Sequence, residues 1–395
     1  MKVERLRPAT GAVAGGWPAV ASVALATFVM VTSEFLPIGL LGAIARDMGE
    51  SEGHAGLMVT VPGFTAALAA PVAALFAGRV DRRTMLLLLS TLIAAANLIA
   101  ACAGSFAVLL AGRVLLGLSV GGFWAFAAAV GRRLVAAEQG NRATAIVLAG
   151  ISTGTVLGVP FATAIGNSAG WRSAFGVVAM LALAAAVAQL RLLPRLPGSA
   201  ALSLRSLPEL MGQRALLAGL AAAALVAGGH FMAYTYLEPF LARVAGMEGT
   251  GVGMTLMAYG LAGVAGTFVG ERLAGRDVRR AFVAAAVLMA AALGAGAVLG
   301  AHAWAAAVLV VAWGLAFGAI PVSIQLWMFR AAPSQVEASS AMTVTIFQLA
   351  LGAGAAGGGW LVDQAGLRSA YVAGALLSLA AVAPLLAFAS LRHRD

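Results

Sequence analysis

Four ionisable residues stand inside stretches of this sequence that are otherwise apolar: Glu34, Arg113, His230 and Glu238. Removing a charge from water is expensive, so such residues mark proton relays, ion paths or deliberate pairs. Glu34 lies between Ser33 and Phe35, with Pro37 close behind. A carboxyl in that setting suits taking up a proton on one side of a barrier and releasing it on the other. The competing reading is a structural carboxylate, paired with Arg113 or hydrogen-bonded to a serine. His230 carries a ring whose unperturbed titration lies near neutrality, which makes it a second proton carrier or a hydrogen-bonding group. Glu238 precedes Pro239 near the end of its run and reads as a gate or a vestibule residue. Arg113 is followed on one helix face by Gly117 and Gly121, which clear space for a neighbouring helix. An arginine on that face points into a bundle and can hold a carboxylate.

A second set could line a cavity: Asn97, Phe123, Trp124, Tyr234, Tyr236, Gln325, Trp327 and Gln348, with Glu238. Aromatic faces with a few amides suit a planar, hydroxylated or heterocyclic solute, although each residue alone serves equally as packing or an interfacial anchor. Other chemistry is missing. The single cysteine, Cys102, excludes a disulfide framework, and the four histidines (His54, His230, His302 and His393) are scattered. There is no H-E-x-x-H, no nucleotide-binding glycine loop and no cluster of acids. The sequence reads as a non-enzyme with no metal, no cofactor and no ATP site.

The elements that must position these residues follow from composition. Of 395 residues, 62% are hydrophobic and only 10% charged, where a soluble domain keeps near a quarter charged. A helix needs roughly 20 apolar residues to cross a bilayer. Runs of that kind fall at about 18–43, 55–77, 84–103, 106–130, 142–166, 172–193, 215–241, 251–270, 281–300, 303–329, 338–361 and 369–391. The first is far longer than the roughly 7–15 apolar residues of a signal peptide, which excludes that reading of the basic N-terminus. The net charge of +10 is spread in short clusters between the runs, which argues against nucleic acid. Twenty of the 25 Lys and Arg fall in the segments sharing a side with the N-terminus, four in the opposite loops, and Arg113 inside a span. That asymmetry predicts both termini in the cytoplasm.

The segment 194–214 carries Pro194, Pro197, Gly198 and Pro208 and divides the chain into 1–193 and 215–395. The halves resemble each other at an offset near 196. Gly170-Trp171-Arg172-Ser173-Ala174-Phe175 matches Gly366-Leu367-Arg368-Ser369-Ala370-Tyr371. Gly117 and Gly121 match Gly314 and Gly318; the loop Gly78–Arg83 matches Gly275–Arg280 with one slip; Glu34-Phe35 falls on His230-Phe231. The expected fold is an all-α membrane protein of twelve transmembrane helices in two pseudo-symmetric six-helix bundles joined by a linker. Repeated bundles around a midplane site are a transporter architecture.

On these residues the chain resembles the major facilitator superfamily, in particular its twelve-helix drug:proton antiporter branch. Gly78-Arg79-Val80-Asp81-Arg82-Arg83 resembles that family's signature loop, which implies a cytoplasmic latch at Asp81, Arg82 and Arg83. It departs from the pattern in the Gly-to-Asp spacing and in Thr84 and Met85. Arg113 with Gly117 and Gly121 resembles the helix 4 motif that implies a part in proton coupling. Gly150, Gly154, Gly158 and Pro160 resemble the helix 5 antiporter motif, with Val159 interrupting it. Trp17-Pro18-Ala19-Val20, Glu34-Phe35-Leu36-Pro37, Ser51-Glu52-Gly53, Gly121-Gly122-Phe123-Trp124 and Leu193–Gly198 are similar to purine ribonucleoside efflux pumps. The stretch His230–Phe240 is closer to the related sugar efflux transporters.

The resemblance implies a proton-coupled exporter of a small polar solute, nucleoside-like or sugar-like and extending to drugs. Its partners are that solute, protons and the lipid bilayer. It implies a monomer in a bacterial-type inner membrane. The alternatives are an uptake symporter of the same fold, a membrane enzyme without a visible catalytic constellation, and a channel or sensor without a soluble domain.

Overall fold

Backbone groups in lipid must be satisfied within their own segment, so apolar runs of this length fold as helices. The computed structural model describes residues 16–76, 80–198 and 210–387. Among them there is no strand, and twelve helices are long and apolar enough to cross a membrane. They are α1 (Gly16–Phe35), α2 (Leu57–Phe76), α3 (Arg82–Ala101), α4 (Phe106–Arg133), α5 (Gly140–Ala169) and α6 (Trp171–Leu192). The second half supplies α7 (Arg214–Tyr234), α8 (Gly249–Arg276), α9 (Val278–Leu299), α10 (Ala303–Ala331), α11 (Val336–Ala365) and α12 (Leu367–Ala380, continued by Val382–Ala387). Within the first half α1 packs on α5 and α6, and α4 on α2 and α3; within the second, α7 packs on α11 and α12, and α10 on α8 and α9.

The sequence repeat has a structural counterpart at each motif. Gly170 and Gly366 have φ of 83° and 80°, a left-handed conformation that glycine adopts without strain, and each turns one long helix into the next. Asp81 caps α3, its Oδ1 accepting from the Arg83 and Thr84 N–H groups at 3.0 and 3.2 Å. Asp277 caps α9 in the same way, accepting from the Arg280 N–H at 3.0 Å. Gly117 and Gly121 let α4 lie against α2, where a Cβ would come within 2.7 Å of the Pro62 carbonyl oxygen and 2.6 Å of that of Ala66. Gly314 and Gly318 let α10 lie against α8, facing Tyr259 and Gly263.

Two runs are interrupted where the sequence reading carried them through. The run expected over 18–43 ends as an α-helix at Phe35, tightens to a 3-10 turn at Leu36–Gly39 and resumes as a short helix at Leu41–Met48. The run expected over 215–241 ends at Tyr234, followed by Leu237–Pro239 and a π turn at Phe240–Val244. Pro37 and Pro239 have no N–H to continue the ladder, and both breaks fall at the same end of the bundles.

We call the end holding the α6–α7 connection the linker end, and the opposite one the far end. At the linker end the signature-like loop grips the chain leaving α6. The Arg82 N–H donates to the Leu196 carbonyl at 2.8 Å, Arg83 Nη2 to that of Leu190 at 2.5 Å, and Arg133 Nη1 to that of Pro197 at 2.8 Å. Asp81 itself is spent as the helix cap. Gly78, Arg79 and the linker residues 199–209 lie outside the described residues.

The glycines of α5 face α1. Gly150 meets Ala24 and Thr27, Gly154 meets Phe28 and Val31, and Gly158 meets Thr32. Thr27 Oγ1 donates across this contact to the Val147 carbonyl at 3.0 Å. Pro160 follows within the same helix. A Cβ on Gly154 would lie 2.8 Å from the Phe28 carbonyl oxygen, whereas Gly176 on α6 has nothing within 4 Å. Gly154→Leu is therefore expected to cost about 1–3 kcal/mol by overpacking and to lower the thermal midpoint of the detergent-purified protein. Gly176→Leu should leave that midpoint unchanged or slightly raised.

Candidate functional site

The site is organised by two prolines. Pro62 lies within α2 and has no N–H, so the Met58 carbonyl four residues earlier has no helical donor. Pro37 deprives the Ser33 carbonyl at the end of α1 in the same way, and the Glu34 carbonyl lies at the break itself. The close approach of α4 to α2 at Gly117 carries Arg113 into this gap. Its Nε donates to the Met58 carbonyl at 2.7 Å, Nη1 to that of Ser33 at 2.8 Å and Nη2 to that of Glu34 at 2.8 Å. The side chain is 2% exposed. A guanidinium also suits the negative end of a helix dipole.

Arg113 thus holds the backbone of Glu34 and makes no ion pair with its carboxylate. The Glu34 side chain, 3% exposed, turns toward the other bundle, where its Oε1 accepts from Gln348 Nε2 on α11 at 3.1 Å. The remaining Gln348 oxygen is buried with no donor. Asn97 on α3 steadies the same turn of α1, its Nδ2 donating to Ser33 Oγ at 2.7 Å and to the Ile93 carbonyl at 2.8 Å.

The repeat-equivalent place in the second bundle is aromatic. His230 Nδ1 accepts from Trp313 Nε1 at 3.1 Å, and its ring stacks on Phe317 at 3.5 Å and on Tyr234 at 4.8 Å. Tyr259 stacks on Tyr234 at 4.9 Å, and its hydroxyl is buried without a partner. His230 bonds neither Glu34 nor Arg113. The two places meet through their neighbours, since Phe35 stacks on Phe231 at 5.8 Å.

The bundles are joined at the far end by carboxylates of the second half that cap short helices of the first. Glu238 Oε2 accepts from the Gly42 N–H at 2.9 Å, at the start of Leu41–Met48, whose own N-cap residue Leu40 offers no side-chain acceptor. Asp363 accepts from the Gly53 N–H at 3.0 Å and from Ser51 Oγ at 2.7 Å, at the start of Glu52–Ala55. Arg243 pairs with Glu52 at 2.6 Å. Tyr236 donates to the Ala355 carbonyl at 2.7 Å and packs on Gly56. Burial holds the Glu238 carboxyl above the usual carboxylate range, offset in part by the Gly42 N–H and by Arg46. Over this closure opens a cavity of about 750 Å³ lined by Arg46, Glu50, Glu52, Arg243, Asp363 and Arg368, among others. Below it α2 touches α11 at Gly63 and Gly352, and α5 touches α8 at Val156 and Gly260.

Of the residues singled out from sequence, Glu34, Arg113, Asn97 and Gln348 converge, and His230 and Tyr234 form the aromatic cluster. Tyr236 and Glu238 belong to the far-end closure. Trp327 donates to the Ala215 carbonyl at 2.9 Å and packs on Gly219, tying α10 to α7. Phe123 is buried within the first bundle, while Trp124 and Gln325 are exposed on their helices. Sequence reasoning missed Asp363, Tyr259, Trp313 and Phe317. Trp313 and Phe317 adjoin the repeated Gly314 and Gly318, which was the available signal.

The family model of the Major Facilitator Superfamily matches residues 23–355. Purine ribonucleoside efflux pumps NepI of Salmonella typhimurium (strain LT2) and Salmonella paratyphi B are each 33% identical over 375 residues, covering 95% of this chain and 94% of theirs. A solved bacterial homologue of the human lysosomal transporter Spinster superposes in two inward-facing forms. The unoccupied form has a TM-score of 0.72 at 18% identity, covering 94% of this chain and 95% of that one. The occupied form gives 0.71 at 17%, covering 93% and 94%.

Because the guanidinium serves backbone carbonyls, the two central charged residues should differ on removal. Arg113→Met leaves three buried carbonyls without donors, at about 1–3 kcal/mol each, and should lower the thermal midpoint sharply. Glu34→Gln should leave the midpoint within a few degrees of the parent. Equal losses in thermal unfolding of the two variants would mean that Arg113 depends on the carboxylate instead.

Proposed function

The chain belongs to the major facilitator superfamily, and from that premise we propose that it exports a small polar solute, purine ribonucleoside-like, in exchange for protons. The observation that carries the proton half is Glu34: a buried carboxyl on the face between the bundles, with a neutral amide as its hydrogen-bond partner and the nearby guanidinium committed elsewhere. Such a group can bind a proton when open to one side and release it when open to the other. The substrate half rests on the relatives, which are efflux pumps for purine ribonucleosides, and on the aromatic cluster. His230, Tyr234, Tyr259 and Phe317 offer faces for a planar base, and the Tyr259 hydroxyl is available to a polar edge.

Among the described residues, arginines gather at the linker end (Arg82, Arg83, Arg132, Arg133, Arg279 and Arg280), which we take as the cytoplasmic face of an inner membrane. The far end then faces outward and is shut in the form described here. Alternating access would part the Glu238 and Asp363 caps to release solute outward, while Glu34 takes up its proton from outside. Inward proton movement supplies roughly 2.3 kcal/mol per 100 mV and about 1.4 kcal/mol per pH unit. At 100 mV and one pH unit, one proton therefore supports a solute gradient of about two to three decades. The asymmetry between a charged first bundle and an aromatic second one favours separate proton and solute sites within one cavity.

Everted membrane vesicles with an acidic interior and a trapped pH dye test this reading. Adding inosine or guanosine should release protons from the lumen, arabinose and a thiogalactoside should do so less, and vesicles without the protein not at all. Glu34→Gln at equal abundance should abolish the response. A full nucleoside response in that variant would remove Glu34 from the mechanism, and no response to any solute in the parent would remove the nucleoside and sugar assignments.

A further inference from the structure

The bundles must sense whether Glu34 carries a proton, and the structure contains one contact placed to do so. Glu34 and Gln348 lie on opposite bundles, each 3% exposed, and meet at 3.1 Å. The Gln348 amide carries both a donor and an acceptor, and the bond to Glu34 uses the donor. One Gln348 bond is made, and its oxygen is left buried without a donor.

The other polar groups around Glu34 make their bonds elsewhere, and Asn97 Oδ1 is buried with no donor. On α4, Arg113 is spent on three carbonyls; on α3, Asn97 is bonded to Ser33; on α7, His230 Nδ1 is turned to Trp313. On α2 the Met58 carbonyl is taken by Arg113, and the ionisable groups Arg46, Glu52, Glu238 and Arg243 belong to the far-end closure. The Glu34 carboxyl therefore has Gln348 as the side chain that bonds it in this closed form.

We propose that Gln348 is the positioning residue that reads the proton on Glu34, by closing a two-bond acid–amide ring that joins α1 to α11. In the ring Gln348 Nε2–H donates to one carboxyl oxygen, and the carboxyl O–H donates to Gln348 Oε1. The ionised carboxylate has no proton for the second bond, and the bare amide oxygen then faces a negative oxygen away from water, which opposes closure. The proton comes from water at the far end while the bundles are parted there. It stays on Glu34 through closure and leaves to water at the linker end, so no other reactant is needed. Proton binding thereby favours the far-closed form, and this inference rests on the proton role of Glu34 proposed above.

The test is infrared spectroscopy of the whole protein in lipid, paired with export kinetics. The carboxylic C=O band that vanishes in Glu34→Gln identifies Glu34 and separates it from Glu238. In Gln348→Met that band should move to higher frequency, because its hydrogen bonds are lost. Maximal export should fall about tenfold, the worth of the two lost bonds, with KM changed by less than about twofold. Should Gln348→Met not fold, Gln348→Asn, one methylene too short for the ring, carries the same expectation. An unmoved Glu34 band with retained export in the Gln348 variant overturns the inference while Glu34→Gln remains inactive. Full export by Glu34→Gln overturns the proton role itself, and this inference with it.

Discussion

The structure depends on how it satisfies carbonyl oxygens that prolines have freed in a place without water. Pro37 and Pro62 each remove a helical donor, and the resulting gap at Ser33, Glu34 and Met58 is filled by one guanidinium. Buried carbonyls left without donors cost about 1–3 kcal/mol each, so the arginine is tied to its place. That commitment has a consequence for chemistry. A free guanidinium beside Glu34 would hold its carboxylate as a fixed ion pair. Spent on the backbone, it leaves the carboxyl bonded to a neutral amide on the other bundle, where gaining or losing a proton changes what the two bundles can share.

The repeat turns this local device into an interface. Phe35 and Phe231, and Gly42 and Glu238, are equivalent positions at an offset of 196, and both pairs are in contact. The pseudo-twofold axis must therefore run between the broken ends of α1 and α7. At each equivalent place the halves have taken different chemistry. The first bundle carries Glu34 and Arg113; the second carries His230 within a set of aromatic rings. At the far end the second bundle supplies Glu238 and Asp363, and the first the starts of two short helices, of which Leu41–Met48 has no side-chain cap of its own. A short helix whose N-terminal N–H is capped from the opposite bundle keeps that cap only while the bundles stay together.

Much of this was legible in the sequence. Run lengths gave the twelve helices, and Lys and Arg placement suggested their direction. The glycines at 117, 121, 314 and 318 marked the α4–α2 and α10–α8 contacts, because no other residue lets two helices approach so closely. Glu34 stood out because a carboxyl in an apolar run needs a reason. Partners were less legible. Gln348 lies 314 residues from Glu34, and no periodicity links them. Charge suggests charge, so the sequence points Arg113 to a carboxylate, whereas its acceptors are the Ser33, Glu34 and Met58 carbonyls left open beside Pro37 and Pro62. Trp327 passed as a cavity residue because hydropathy cannot tell an indole bonded to Ala215 within one bundle from one facing a solute.

The central claim is that the proton exchanged for solute resides on Glu34, and its most direct measurement is proton release on solute binding. Purified protein in weak buffer with a pH-sensitive dye would receive inosine, and the protons released per protein would be counted for the parent and for Glu34→Gln. Release of close to one proton by the parent, with none from Glu34→Gln, is the expected result. Undiminished release from Glu34→Gln would place the proton on another group and contradict the claim.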